Sequence, residues 1–170
     1  SWIPGHPDFG VQRPWSPNPD NVKNFFETGI KNTTSLSFAK GGEDYSFRAT
    51  ARASQNAAVV PNAQRDVYDL NISGEIDLTD NVSIYSSLNA RLQQTDNYAS
   101  SGYGSLASNF SQWWQRQLDM DRLEKNYYYN GAFYTWNRRS ARNARPQYWD
   151  APHFEQYWNT NANENSTYSC

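Results

Sequence analysis

The sequence predicts an all-β fold of antiparallel strands, and three observations carry that reading. The first is period-two alternation. In GGEDYSFRATARAS (residues 41–54), Tyr45, Phe47, Ala49, Ala51 and Ala53 fall on one face of a strand, and Ser46, Arg48, Thr50, Arg52 and Ser54 on the other. The second is recurrence: similar alternation runs through four segments, roughly 32–40, 45–55, 66–78 and 82–94. The third lies in the connectors. GGED and TDN are short, whereas NAAVVPNAQR between the second and third segments is longer. Short turns at one end and longer loops at the other are the habit of a transmembrane β-barrel. A soluble antiparallel sandwich alternates in the same way, so periodicity alone leaves both architectures open.

Composition narrows the classes. The 170 residues suit one domain, and 37% hydrophobic content is lean for a soluble core. Aromatic residues make up 16% of the chain, far too many for a disordered polymer. A net charge of −2 gives no reason to expect a nucleic-acid partner. Cys170 is the only cysteine, which excludes an internal disulfide and a zinc site built on thiolates. The longest apolar run is AAVV at 57–60, so no helix here crosses a membrane. The chain carries neither an initiator Met nor a leader and starts and stops abruptly, which suits a piece of something larger.

Three regions follow in order. Residues 1–30 are a Pro-rich loop: Pro4, Pro7, Pro14, Pro17 and Pro19 with Gly5 and Gly10 break regular structure, and Trp2, Phe9 and Trp15 supply contacts. In DNVKNFFETG, Asp20 or Asn21 is placed to cap a short helical turn ending at Gly29. Residues 31–95 hold the four strands. The third sets Tyr68, Leu70, Ile72, Ile76 and Leu78 against Asp69, Asn71, Ser73, Glu75 and Asp77. The fourth sets Val82, Ile84, Leu88, Ala90 and Leu92 against Ser83, Tyr85, Ser87, Asn89 and Arg91. Two features weigh against a free-standing sandwich: the dense charge at strand centres, and the two bare edges that four strands would leave. Residues 96–170 form a long loop region. Phe110, Trp113, Trp114, Leu118 and Leu123 recur at helical spacing, and Asp119 with Arg122 and Asp121 with Lys125 sit three or four apart, predicting a helix over about 107–126. The remainder reads as a long decorated loop.

Residue chemistry points away from catalysis. His6 and His153 lie far apart, HPD and PHFE are not metal-ligand spacings, and no phosphate loop or nucleophile motif is present. The expectation is no enzyme, no metal and no cofactor. The basic run Arg138, Arg139, Arg142 and Arg145 reads as a phosphate grip or as a solvated loop.

The order of motifs decides between the two architectures. DNVKNFFETG, then NTTSLSFAKGGEDYSFRATARASQ, VVPNAQR and LNISGEIDLTDNVSIYSSLNARL, closely resembles the barrel region of TonB-dependent outer-membrane transporters of the SusC/RagA type. WWQRQLDMDRL and PQYWDAPHFEQYWNTN resemble later loop motifs of that family. Ala58 stands where the family usually has Gly, and RRSARNAR (138–145) matches no motif of it. The resemblance implies antiparallel strands of a transmembrane barrel in the cell outer membrane, with long extracellular loops containing a short helix. Because such a barrel has 22 strands around a plug, it also implies that this chain is part of a longer one. It further implies import of oligosaccharides or peptides, a SusD-like surface lipoprotein as partner, and the TonB complex engaged through parts absent here. Arg48, Arg52, Glu75 and Arg91 would then face the lumen, while Phe47, Leu70, Ile72 and Ile84 face outer-membrane lipid. GGED and TDN would lie at the periplasmic rim, with 55–65 and 95–165 outside. On those outer segments Trp113, Trp114, Tyr128, Trp136, Trp149 and Trp158 are candidate substrate-binding residues, since Tyr and Trp rings stack on sugars and anchor peptides. The bland alternatives are that these rings pack on each other or form an interfacial girdle. The rival function is a soluble aromatic-rich carbohydrate-binding β-sandwich.

Overall fold

A computed structural model describes residues 3–98, 105–112, 114–126, 128–133, 152–157 and 162–169. The four alternating segments form strands β1 (Ile30–Gly41), β2 (Tyr45–Ala57), β3 (Gln64–Thr79) and β4 (Val82–Asp96). A fifth, β7 (Ala162–Ser169), pairs antiparallel with the second half of β4, giving the sheet order β1-β2-β3-β4-β7. Mostly antiparallel β structure is therefore established. The sheet is open: β1 and β7 are its edges, and Val82–Leu88 of β4 has no strand on its outer side among the described residues.

The short connectors fold as tight turns. Between β1 and β2, the Gly42 N–H donates to the Tyr45 carbonyl at 2.8 Å. A Cβ on Gly42 would lie 2.5 Å from the Tyr45 ring, so this position has to be glycine for the ring to stay where it is. Between β3 and β4 only Asp80 and Asn81 turn the chain, and a bulge at Asp77–Thr79 precedes them.

Register fixes the two faces. Ala51, Leu70 and Ala90 stand opposite one another, as do Ala49, Ile72 and Leu88, and Tyr45, Ile76 and Ile84. Leu36 and Phe38 of β1 continue these rows. Nothing described in the sheet covers this apolar face: Leu36 is 75% exposed, and Phe38, Leu70, Ile84 and Tyr168 are exposed too. The opposite face carries hydroxyls, amides and charges, including the cross-strand pairs Thr33–Ser54 and Ser37–Thr50, each with 3.2 Å between oxygens.

The chain divides into two compact units. The sheet is one; Ser1–Thr28, Val59–Ala63 and Asn97–Asn161 form the other. The core of buried apolar side chains belongs to the second unit, where Phe25, Leu106, Met120 and Leu123 meet, with Val60, Phe110 and Trp114 packed around them. The predicted continuous helix over 107–126 is corrected here. It is broken into α1 (Leu106–Gln112) and α2 (Met120–Asn126), with non-helical residues at 114–119. The cause is tertiary hydrogen bonding. The Asn18 N–H takes the Arg116 carbonyl at 2.7 Å, its side-chain amide takes those of Gln117 and Leu118, and the Asn21 amide takes that of Gln115. These carbonyls would otherwise accept from the following helical turn. Each new helix has a side-chain N-cap, Ser105 Oγ for Ser108 N–H and Asp119 Oδ1 for Arg122 N–H. Before β1 the helical turn is shorter than expected, a 3-10 turn at Lys23–Phe25 with no side-chain cap on its N-terminal residue Val22.

Two further sequence expectations change. The sheet has five strands rather than four, and the stretch after 126 is not all loop. It includes the small hairpin β5 (Tyr128–Tyr129) and β6 (Ala132–Phe133), helix α3 (Pro152–Tyr157), and β7.

Candidate functional site

Two sets of candidate residues arise, one in each unit. On the polar face of the sheet, register gathers Arg48, Arg52, Glu75 and Arg91. Arg52 stands opposite Asp69, and Asp69 opposite Arg91, so three charges form one row across β2, β3 and β4. The Arg91 Nε lies 3.8 Å from Asp69 Oδ1, with the arginine more than half exposed. Such a wet pair contributes roughly 0–1 kcal/mol, so it organises charge more than it stabilises the sheet. Arg48 stands apart: its cross-strand neighbours are Ala39 and Ser73. Glu75 faces Ser46 on one side and Tyr85 on the other. The four residues singled out from the sequence do share one face, although they are not one cluster.

In the other unit, the Pro-rich segment is held by specific contacts. Asp8 receives Arg122 Nη2 at 2.6 Å and Arg13 Nη2 at 2.8 Å. Hydrogen bonds from Arg122 and then Arg13 hold the Asp8 carboxyl down at about 2, well below its ordinary 3.8. The Asp8 N–H donates to His6 Nδ1 at 3.0 Å, which leaves Nε2 as the protonated nitrogen, 2.9 Å from Asn126 Oδ1. The Tyr129 hydroxyl donates to the Gly5 carbonyl, and the His6 and Tyr129 rings meet edge-on at 4.7 Å. These pins leave Phe9, Val11 and Trp15 exposed, Trp15 at 81%.

The aromatic candidates separate. Trp114 packs edge-on against Phe110, 5.0 Å between centroids, and Phe110 against Phe25 at 5.1 Å. Its ring therefore belongs to the core, and its Nε1 is buried with no hydrogen-bond partner among the described residues. Tyr128 is exposed on β5. Trp113, Trp136, Trp149 and Trp158, and the basic run Arg138–Arg145, lie outside the described residues. His153, set aside as a metal ligand, is a core residue: it is buried, meets Phe25 edge-on at 5.2 Å and stacks on Tyr157 at 6.2 Å. Burial pushes its pKa down to about 4.

Sequence reasoning missed the pins of the Pro-rich segment. The signal was present in SPNPDN, where asparagines beside prolines offer side-chain amides from a backbone that cannot itself be helical. It gave no indication of the partner some hundred residues away. No family model matches the chain, and no curated protein matches it.

Proposed function

We propose that the sheet is one wall of an outer-membrane β-barrel and that the chain belongs to a TonB-dependent importer of oligosaccharides or peptides, acting with a SusD-like surface lipoprotein. One observation carries the membrane reading: a continuous apolar face, left bare, backed by a charged one. Water would penalise that much exposed aliphatic surface in one patch, whereas lipid is its natural solvent. The rows agree in detail. Tyr45 and Phe47 sit toward the turn end of this face and Tyr68 toward the other; between them lie the Phe38–Ala49–Ile72–Leu88 row and the Leu36–Ala51–Leu70–Ala90–Tyr168 row. From the Tyr45 row to the Tyr68 row is about 27 Å along the strands at ~3.4 Å per residue. At a tilt of about 40° that spans roughly 20 Å of depth, close to the ~25 Å apolar band between aromatic girdles.

The importer reading is supported by the ordered motifs from DNVKNFFETG to LNISGEIDLTDNVSIYSSLNARL and their resemblance to SusC/RagA-type transporters. Import by such a protein is non-covalent. Outer segments and the surface lipoprotein capture cargo, and the polar wall gives it a wetted surface to pass. A nitroxide placed at Ile72, and separately at Ser73, in outer-membrane vesicles from cells producing the protein tests the membrane reading. Relaxation at Ile72 is expected to respond to oxygen, which partitions into lipid, and relaxation at Ser73 to a water-soluble nickel chelate. Preference for the nickel reagent at both positions would reject the barrel in favour of a soluble sandwich.

A further inference from the structure

The arginines of the polar face are not equivalent, and the difference marks a site. Arg52 and Arg91 flank the carboxylate of Asp69 in register, but Arg48 faces Ser73. Among the described residues Arg48 forms no ion pair, and Glu75, opposite Ser46 two residues along, does not bridge to it. Arg48 lines an open cleft of about 450 Å³ at the end of the sheet near Gly41. Ser46, Ser73 and Tyr85 line it as well, all on the same face by register, whereas Lys40, opposite Phe47, belongs to the other face. No carboxylate lines the cleft among the described residues. Tyr85 is 66% exposed, so its ring is open to a visitor.

The geometry points to a binding subsite for a carboxylated sugar, such as a uronic acid residue of an oligosaccharide. A guanidinium offers a two-pronged donor edge that matches a carboxylate. An open tyrosine ring stacks on the apolar face of a pyranose. Two serine hydroxyls supply the short polar contacts that orient a ring of hydroxyls. The volume falls within the ~300–1,000 Å³ of small-molecule sites. The charge fits as well: Arg48, which forms no ion pair among the described residues, is a cation in a cleft that no described carboxylate lines. The inference rests on the polar face being the water-lined one, and it goes further by naming the chemistry of the cargo.

Calorimetric titration of the detergent-solubilised full protein with glucuronate, glucose and succinate tests it. Glucuronate is expected to bind at least tenfold more tightly than either glucose, which lacks the carboxylate, or succinate, which lacks the ring. Arg48→Gln is expected to bring glucuronate down to the level of glucose, Arg48→Lys to retain part of the preference, and Tyr85→Ala to erase the advantage over succinate. Added salt should weaken glucuronate binding and leave glucose unchanged. Equal binding of glucuronate and glucose by the unaltered protein, or a preference that survives Arg48→Gln, overturns the site. Equal binding of succinate and glucuronate overturns the sugar assignment. The nitroxide at Ile72 separates the two failures. Arg48-dependent glucuronate binding with a wet Ile72 removes the barrel and keeps the site, while a lipid-exposed Ile72 without the preference does the reverse.

Discussion

His153 shows how one side chain ties a loop core to pH. Buried against Phe25 and stacked on Tyr157, it stays neutral down to about pH 4, whereas the unfolded chain protonates it near 6.5. Above pH 6.5 both states are neutral and the residue contributes no pH dependence. As pH falls from 6.5 toward 4 the unfolded state takes up a proton that the folded state refuses, so stability is lost across that window, on the order of 2–3 kcal/mol. Thermal denaturation of the loop unit is expected to shift downward between pH 6.5 and 4, and His153→Phe, which keeps the aromatic contacts, is expected to flatten that slope. An unchanged slope in the variant would assign the pH dependence elsewhere. Asp8 acts in a separate window, because its depressed carboxyl loses the Arg122 and Arg13 contacts only as pH falls below 3.8 toward 2. Arg122→Gln should therefore change the melting profile at pH 3 less than at pH 6. Trp114 completes the residue scale. Its half-buried place against the core means that Trp114→Ala is expected to lower loop stability, by less than the ~3–5 kcal/mol of a fully buried aromatic deletion, and any loss of ligand binding must be weighed against that loss of packing.

Strands are the elements in which residue pattern and observed structure agree most closely. Ile72 lies in the Ala49–Ile72–Leu88 row of the apolar face and Ser73 in the Arg48–Ser73–Ser87 row of the other. Arginine at a lipid-facing position near mid-depth costs about 2–4 kcal/mol. Ile72→Arg is therefore expected to impair assembly, read as loss of heat-modifiable mobility on gels, while Ser73→Arg assembles normally. Equal behaviour would mean that the faces are misassigned, and the reverse outcome would mean that they are exchanged, as a one-residue slip would do. The four main strands were legible in the sequence because each alternates sharply, and none runs more than two residues beyond either expected end. β7 was not legible. ANENSTYS has a single large apolar residue, Tyr168, so its pairing with β4 rests on backbone hydrogen bonds that leave no hydrophobic period to read. The helix over 107–126 was misread for the opposite reason. Its apolar residues do share one core, but Asn18 and Asn21 claim the carbonyls at 115–118 from a segment far earlier in the chain. Period reports which side is buried, and it is blind to which distant amide interrupts the hydrogen-bond ladder. For the candidate site the same limit applies. Alternation gathered Arg48, Arg52, Glu75 and Arg91 on one face, but only the cross-strand register separates the paired arginines from Arg48.

At the scale of the whole molecule the proposed function turns on orientation, since an importer takes its cargo from one side only. The sheet has two unlike ends. At one, β1 joins β2 through residues 42–44 and β3 joins β4 through Asp80 and Asn81. At the other, β2 joins β3 through residues 58–63, and Asn97 follows β4, with its side-chain amide donating to the Asn62 carbonyl at 3.1 Å. In membrane barrels short turns belong to the periplasmic rim and long loops to the cell exterior. A cysteine at Gln64 should therefore react with a membrane-impermeant maleimide on intact cells, and one at Asp80 only after the outer membrane is opened. Cys170 must first be removed by Cys170→Ser, and the unlabelled background protein serves as the control for each signal. Both positions are exposed, so accessibility depends on sidedness rather than burial. Reaction at Asp80 on intact cells, with Gln64 protected, would invert the topology and carry the Arg48 cleft to the outer rim. Labelling at both positions on intact cells would mean that neither end is shielded by a membrane, and the barrel would have to be abandoned for a water-exposed sheet.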